Sequence, residues 1–192
     1  MKKILIGTHN KGKFKEIAYL ISKKYKKISP ISLKIKSPKE TGKTFIANSR
    51  LKAKFFSKFV DFPVISDDSG LNIMSLNNKP GIHSARLAKK HGGFLKAMKF
   101  ILRKMEKKKN RKAAFICSLT YKDEAGKIIS AEGKLKGNIS KKILGKNGFG
   151  YDSIFIPLKK KITFGQMTKL KKIKMDHRFL AFQKLKKKIK TL

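Results

Sequence analysis

Phe62-Pro63-Val64-Ile65-Ser66-Asp67-Asp68-Ser69-Gly70 is the stretch on which the reading of this chain depends. An apolar run, Phe62 to Ile65, stops where two adjacent carboxylates begin. It reads as a buried strand that opens at Pro63 and ends at Asp67-Asp68. Neighbouring carboxylates repel, so a folded protein seldom places them together without a cation nearby. A strand end also holds side chains rigidly enough to aim them. The ordinary alternative is an Asp-Ser-Gly turn with solvated acids. Four further stretches that suit phosphate handling weigh against it.

Outward from this strand, the pattern alternates between strand and helix. Lys3 to Gly7 reads as a short buried strand, followed by the polar loop Thr8 to Gly12. Phe14, Ile17, Ala18 and Ile21 share one helical face. Ile31 to Ile35 alternates and suggests a second strand. Thr44 opens a helix whose inner face is read as Ala47, Leu51, Phe55 and Phe59. Leu71 to Met74 extends the acidic strand towards a turn at Asn77-Asn78. Phe94, Met98, Ile101 and Met105 mark another helix. Lys112 to Tyr121 and Ile128 to Leu135 read as strands joined by the turn at Gly126. Asp152 to Ile156 is a further strand, and Asp176 to Ile189 a final helix with Phe179, Phe182, Leu185 and Ile189 inward. No repeat or linker interrupts residues 1–192, and the mixture argues for one α/β domain.

Composition narrows the class. The 192 residues are 40% hydrophobic, enough for a real core despite the lysines. Cys117 stands alone inside the run Ala113 to Leu119, where a buried small hydrophobe is expected. One cysteine permits no internal disulfide, which suits a reducing cytoplasm. No apolar run reaches the ~18 residues of a membrane helix. Basic residues number 50 against 11 acidic, a formal charge of +39. Such a surface attracts nucleic acid without sequence preference. The lysines are dispersed along the chain and arginine is scarce, so they read chiefly as solvated faces.

Thr8-His9-Asn10-Lys11-Gly12-Lys13 lies between a strand and a helix N-terminus. Unpaired backbone N–H groups and the helix dipole favour an anion there. Thr8 and Asn10 add neutral donors, and Lys13 a positive charge. The spacing is not that of the usual P-loop. Asp67 and Asp68 supply the hard oxygens Mg²⁺ prefers, and Glu40 precedes a flexible Thr-Gly that would let it swing into the same place. Gly148-Phe149-Gly150-Tyr151-Asp152 lets a backbone approach a flat ligand closely, with Phe149 available to stack or simply to fill the core. His177-Arg178 sits at a helix start, where the dipole disfavours a cation, so a local anion or acceptor would rationalise Arg178. No Ser-His-Asp order and no Cys/His metal spacing occurs.

Together these stretches resemble the Ham1-type inosine/xanthosine triphosphate pyrophosphatases, from Ile4 almost to the C-terminus. The resemblance is carried by Thr8-x-Asn10-x-x-Lys13, Thr44-Phe45-x-x-Asn48-x-x-x-Lys52-Ala53, Asp67-Asp68-Ser69-Gly70-Leu71, Pro80-Gly81-Ile82-x-Ser84-Ala85-Arg86, Phe149-Gly150-Tyr151-Asp152-x-Ile154-Phe155, and Lys172 with His177-Arg178. It implies an elongated mixed β-sheet with two α/β lobes around a central cleft, a cytoplasmic homodimer, and Mg²⁺-dependent hydrolysis of ITP, dITP and XTP to the monophosphate and pyrophosphate. It implies Asp68 as general base, with Lys13 and Lys52 in the catalytic group and Glu40, Asp67 and Asp68 at the metal. It places Thr8, His9, Asn10, Lys11, Gly12, Lys13 and Ser69 on the substrate, and Phe149, Gly150, Tyr151, Asp152, Lys172, His177 and Arg178 around the base. Two positions depart from the family's usual Glu, Ala47 and Gln166. Thr44-x-x-Glu would form a capping box, so Ala47 is expected to weaken a helix cap while sparing catalysis; the alternative is that a Glu there supports the metal and Ala47 lowers activity. Two rivals remain: a pyrophosphatase with another nucleotide preference, and a basic nucleic-acid-binding protein that has lost turnover.

Overall fold

The computed structural model describes residues 1–189. In chain order the elements are β1 (Lys2–Gly7), α1 (Lys11–Leu20), β2 (Tyr25–Ile28), α2 (Phe45–Phe56), β3 (Val64–Ile73), β4 (Lys79–Pro80), α3 (Ser84–Lys90), α4 (Phe94–Lys104), β5 (Lys112–Lys122), β6 (Ile128–Ile139), β7 (Phe155–Pro157), α5 (Lys169–Ile173) and α6 (His177–Lys188). The strands join in the order β2-β1-β3-β5-β6-β7, with β4 added beside β3. β1 runs parallel to β2 and β3, whereas β3–β4 and β6–β7 are antiparallel. The fold is therefore α/β on a mixed sheet.

The chain divides into two compact units. One comprises Met1–Asp68, Cys117–Gly133 and the chain from Arg178 onward; the other comprises Ser69–Ile116 and Lys134–His177. In the first unit, alternation along β1 explains the core. Ile4 and Ile6 pack with Ile65, Cys117, Leu119 and Phe182, while Leu5 points the other way to Val64 and Phe56. Both faces of β1 are thus covered, as suits a strand with parallel neighbours. Cys117 is fully buried in this cluster, as its apolar run predicts. In the second unit, Leu71, Ile73, Phe115, Phe155 and Phe164 form a core closed by Ala97, Met98 and Ile101 of α4.

Several boundaries differ from the sequence reading. The strand after β1 is Tyr25–Ile28; residues 31–34 form a turn, with Ile31 and Leu33 exposed. β3 does not stop at the acids but continues to Ile73, so Asp67 and Asp68 sit inside a ten-residue strand. Residues 152–154 form a 3-10 turn before the short β7. α2 buries Phe45, Asn48, Ser49, Lys52, Ala53 and Phe56, a different face from the one expected. Ala47 and Phe59 are exposed, and Phe59 lies beyond the helix end.

Candidate active site

Consecutive strand residues point to opposite faces, so Asp67 and Asp68 meet different neighbours. Asp67 is fully buried. Its Oδ2 lies 3.0 Å from Lys13 Nζ and 3.9 Å from Arg178 Nε. Burial alone would raise its pKa, but Lys13, Lys52 and Arg178 overcome this and hold the carboxyl well below the usual carboxylate range. Asp68 accepts a 3.0 Å hydrogen bond from Asn48 Nδ2. Burial pushes its pKa upward and Glu40 adds to the rise, against the opposing pull of Lys13, Asn48 and Lys52; the group settles at about 6. One acid is a committed counter-ion, and its neighbour is able to take a proton near neutrality.

α2 supplies two of the groups around these acids. Thr44 caps it, accepting from Ala47 N at 3.0 Å. Asn48 and Lys52 stand one turn apart on its buried face. Lys52 Nζ donates to Asp67 O at 2.6 Å and lies 3.2 Å from Glu40 Oε1. Burial would lower the Lys52 pKa, but Asp67, Glu40 and Asp68 outweigh it and raise it, so the ammonium stays charged. Ser49, on the same face, meets Ser118 Oγ at 2.9 Å and Thr120 Oγ1 at 2.8 Å, which gives this polar helix side partners on β5.

The loop before α1 is built as a helix entrance. Asn10 is the N-cap, its Oδ1 accepting from Lys13 N at 3.0 Å. Thr8 is buried and its Oγ1 accepts from Asn10 N at 3.3 Å. Asn10 therefore spends its oxygen on the cap, and Lys13 is swung towards Asp67. His9 is exposed and its Nε2 donates to Ile35 O at 2.9 Å. Lys11 is exposed and Gly12 half-buried at the start of α1. Arg178 lies at the start of α6 with Nη1 2.8 Å from Glu16 Oε2. Glu16, on α1, together with Asp67 supplies the local anion that rationalises a cation at a helix N-terminus. Sequence reasoning missed Glu16; its signal was an acid flanking Ile17 on the apolar side of α1.

A second group forms inside the other unit. Asp152 Oδ2 pairs with Lys172 Nζ and accepts from Phe149 N at 2.8 Å. Lys172 Nζ lies 4.4 Å from the Phe149 ring centroid, a cation–π contact. Gly148 has φ +77°, and a Cβ there would come within 2.1 Å of Asp152 Oδ2, so the turn requires glycine. Tyr151 is buried and donates its hydroxyl to Ser84 O at 2.8 Å. Ser84 Oγ in turn donates to Gly81 O and accepts from Leu71 N, which gives the Pro80–Arg86 motif a structural task that sequence left unassigned. His177 is buried and stacks on Phe115, with centroids 4.7 Å apart and planes 11° apart. Ser69 is half-buried and follows Asp68 directly along β3. Gln166 completes a capping box, Thr163 N donating to its Oε1 at 3.0 Å. A Gln accepts this bond as a Glu would, so the exchange at 166 keeps the cap.

Among the described residues no group of three or more His, Cys, Asp or Glu side chains converges as a ready metal cage. Glu40 and Asp68 remain a fitting pair for Mg²⁺, which is commonly held by one or two carboxylates plus substrate phosphates and waters. Two acids that repel enough for Glu40 to raise Asp68's pKa are the setting a divalent cation relieves.

The comparisons with known proteins agree with this architecture. The Ham1 family profile matches residues 4–188. The dITP/XTP pyrophosphatase of Dictyoglomus thermophilum is 40% identical over 191 residues, covering 95% of this chain and 92% of its own. That of Wigglesworthia glossinidia brevipalpis is 41% identical over 198 residues, covering 100% and 98%. Among solved structures, the Staphylococcus aureus Ham1 protein superposes with a TM-score of 0.86 at 32% identity over 98% of each chain. The HAM1 protein of Coxiella burnetii gives 0.88 at 29% identity over the whole of both. The fold and site define an α/β protein with a cation-ringed acidic strand. The chain belongs to the Ham1 family.

Proposed function

We propose that this nucleoside triphosphate pyrophosphatase hydrolyses non-canonical purine nucleotides, dITP, XTP and ITP, to the monophosphate and pyrophosphate in a Mg²⁺-dependent reaction. The observation that carries the reading is the split pair on β3: Asp67 locked among Lys13 and Arg178, and Asp68 poised to accept a proton. Thr8, Asn10 and the first-turn N–H groups of α1 receive phosphate oxygens, and Lys13 and Lys52 neutralise charge that develops as pyrophosphate leaves. Asp68 takes a proton from the water that attacks the α-phosphorus. The new P–O bond forms as the bond to the bridging oxygen breaks, and that oxygen departs with pyrophosphate. Glu40 and Asp68 would hold Mg²⁺, which supplies charge neutralisation for the triphosphate when bound. Asp67 serves here as the counter-ion of Lys13 and Arg178 rather than a third ligand.

Phe149, with Lys172 on its ring and Asp152 fixing its backbone, offers the stacking surface for a purine. A 6-oxo purine accepts hydrogen bonds where adenine donates, so donors facing O6 welcome the first. Adenine leaves such a donor unpaired at about 1–3 kcal/mol per buried group. No helix among the described residues is long and apolar enough to cross a membrane. A homodimer in the cytoplasm is part of this reading and rests on the family resemblance. Contact with nucleic acid is confined to salt-sensitive attraction by the lysines. The test is pyrophosphate release from ITP, XTP, GTP and ATP, with Mg²⁺ and with EDTA. Metal-dependent release favouring ITP and XTP is expected. Equal release from ATP would refute the base preference, and release in EDTA would refute the cation.

A further inference from the structure

We infer that Asn48 is a positioning residue that fixes the spacing of the two carboxylates able to share a divalent cation, Glu40 and Asp68. The inference rests on the metal-dependent reading above. Asn48 is fully buried, one turn into α2, with its backbone N donating to Thr44 O at 3.1 Å. Both ends of its amide are engaged. Its Oδ1 accepts from Gly42 N at 2.7 Å, and its Nδ2 donates to Asp68 Oδ2 at 3.0 Å. The reverse orientation would set an NH₂ against the Gly42 N–H and an oxygen against the carboxylate, so chemistry fixes the amide one way. The bond to Asp68 is buried and the bond to Gly42 part-buried, which makes the first hard for water to replace.

Gly42 lies two residues from Glu40, so the amide ties the segment bearing one acid to the side chain of the other. The tie needs a bare backbone at 42. A Cβ there would come within 2.6 Å of Asn48 Oδ1, 2.8 Å of Ala47 Cβ and 2.9 Å of Asn48 N. One turn along the same helix face, Lys52 repeats the arrangement, reaching Glu40 and the Asp67 carbonyl. α2 thus links the segment of Glu40 to the acidic step of β3 with two rungs, and Asn48 is the neutral one. An Asn suits the role because it accepts from one side and donates to the other. An Asp would repel Asp68, and a Leu of similar shape would bond to neither.

The experiment compares wild type, Asn48→Leu and Gly42→Ala in three measurements. They are Mn²⁺ binding to the nucleotide-free chain by electron paramagnetic resonance, the Mg²⁺ concentration for half-maximal pyrophosphate release from ITP, and the melting temperature. Outer partners of metal ligands typically matter by about 10–100-fold in affinity. Asn48→Leu is expected to weaken Mn²⁺ binding and raise the Mg²⁺ half-saturation by about tenfold, with KM for ITP at saturating Mg²⁺ within about twofold of wild type. Gly42→Ala breaks the same tie from its other end and should shift both metal readings in the same direction; it decides the matter if Asn48→Leu does not fold. Unchanged Mn²⁺ affinity, alongside a lower melting temperature or kcat, would overturn the inference and leave Asn48 a structural residue. Wild type that binds Mn²⁺ yet releases no pyrophosphate refutes the functional reading alone, and the Mn²⁺ comparison still tests Asn48.

Discussion

The two faces of β3 at its acidic step surround residues of one type with opposite company. On one face Asp67 is surrounded by cations, and its charge is part of the fold. On the other, Asp68 is buried against an amide and repelled by Glu40, and its charge is held at a cost. Residues of the same chemical type, adjacent along the backbone, receive opposite electrostatic treatment. Burial opposes ionisation of both, and Lys13 and Lys52 pull on both, so the direct Lys13 bond and the Arg178 charge at Asp67, against the Glu40 charge beside Asp68, decide the difference.

The sharpest way to break this contrast is Asp68→Asn. Turnover of ITP should fall by about 10²–10⁴, the usual worth of a positioned general base, while the far-ultraviolet circular dichroism spectrum stays native. Near-normal kcat would remove Asp68 from the chemistry. The next largest effect belongs to the other face. Arg178→Met leaves Glu16 without its 2.8 Å partner and Asp67 with one cation fewer. A loss of about 3–5 kcal/mol in urea unfolding is expected, typical of breaking a buried pair from one side. A change below about 1 kcal/mol, the range of a surface pair, would show these ion pairs to be superficial.

Acid should separate the faces by pH. Asp68 has a folded pKa raised to about 6, above its unfolded value. Its contribution to stability is therefore fully present below the unfolded pKa and lost as pH rises through about 6. Asp67 is depressed, so its contribution is present above the unfolded pKa and is lost only as pH falls through the low folded value. Asp68→Asn should flatten the unfolding free energy between about pH 4 and 6 relative to wild type. In metal-free protein, proton titration of Asp68 followed by NMR should give a midpoint near pH 6, and a midpoint near the ordinary carboxylate value would contradict the described burial. The smallest expected change lies at the exposed N-terminus of α2. Ala47→Glu restores the second half of a capping box and adds an acid beside the helix dipole, for a gain of about 0.3–1 kcal/mol by thermal melting. A large change in kcat with it would show that position 47 bears on the metal and not only on the cap.

Much of this was legible in sequence, for identifiable reasons. β1, β5 and β6 carry continuous or alternating apolar runs, and α4 and α6 carry regular stripes, so periodicity was enough to find them. β2 was misread because Tyr25-Lys26-Lys27-Ile28 is a short edge strand with two lysines at its centre, whereas the alternation of Ile31 to Ile35 falls on the turn after Pro30. α2 was found but rotated. Apolar periodicity favoured Ala47, Leu51, Phe55 and Phe59, yet the helix turns Asn48, Ser49 and Lys52 inward because the strand it covers is acidic and hydroxylated. A functional helix can bury its polar face, and a hydrophobic stripe is then the wrong guide. The acidic pair and Lys13 were recognisable as charges needing partners, whereas Lys52, one lysine among many, stood out only through the family motif. Glu16 was not, and Asn48 stood in that motif without a role, because both roles exist only once α1, α2, α6 and β3 are assembled.

The measurement that most directly tests the account is urea unfolding of Asp67→Asn and Asp68→Asn side by side at pH 7. Removing the charge of Asp67 should destabilise the fold by about 3 kcal/mol, since Lys13 and Arg178 lose a buried partner. Removing that of Asp68 should stabilise it by about 1–3 kcal/mol, since a carboxylate with a raised pKa no longer has to ionise in the interior. Opposite signs are the prediction; two losses of similar size would contradict the division of labour between the faces of β3.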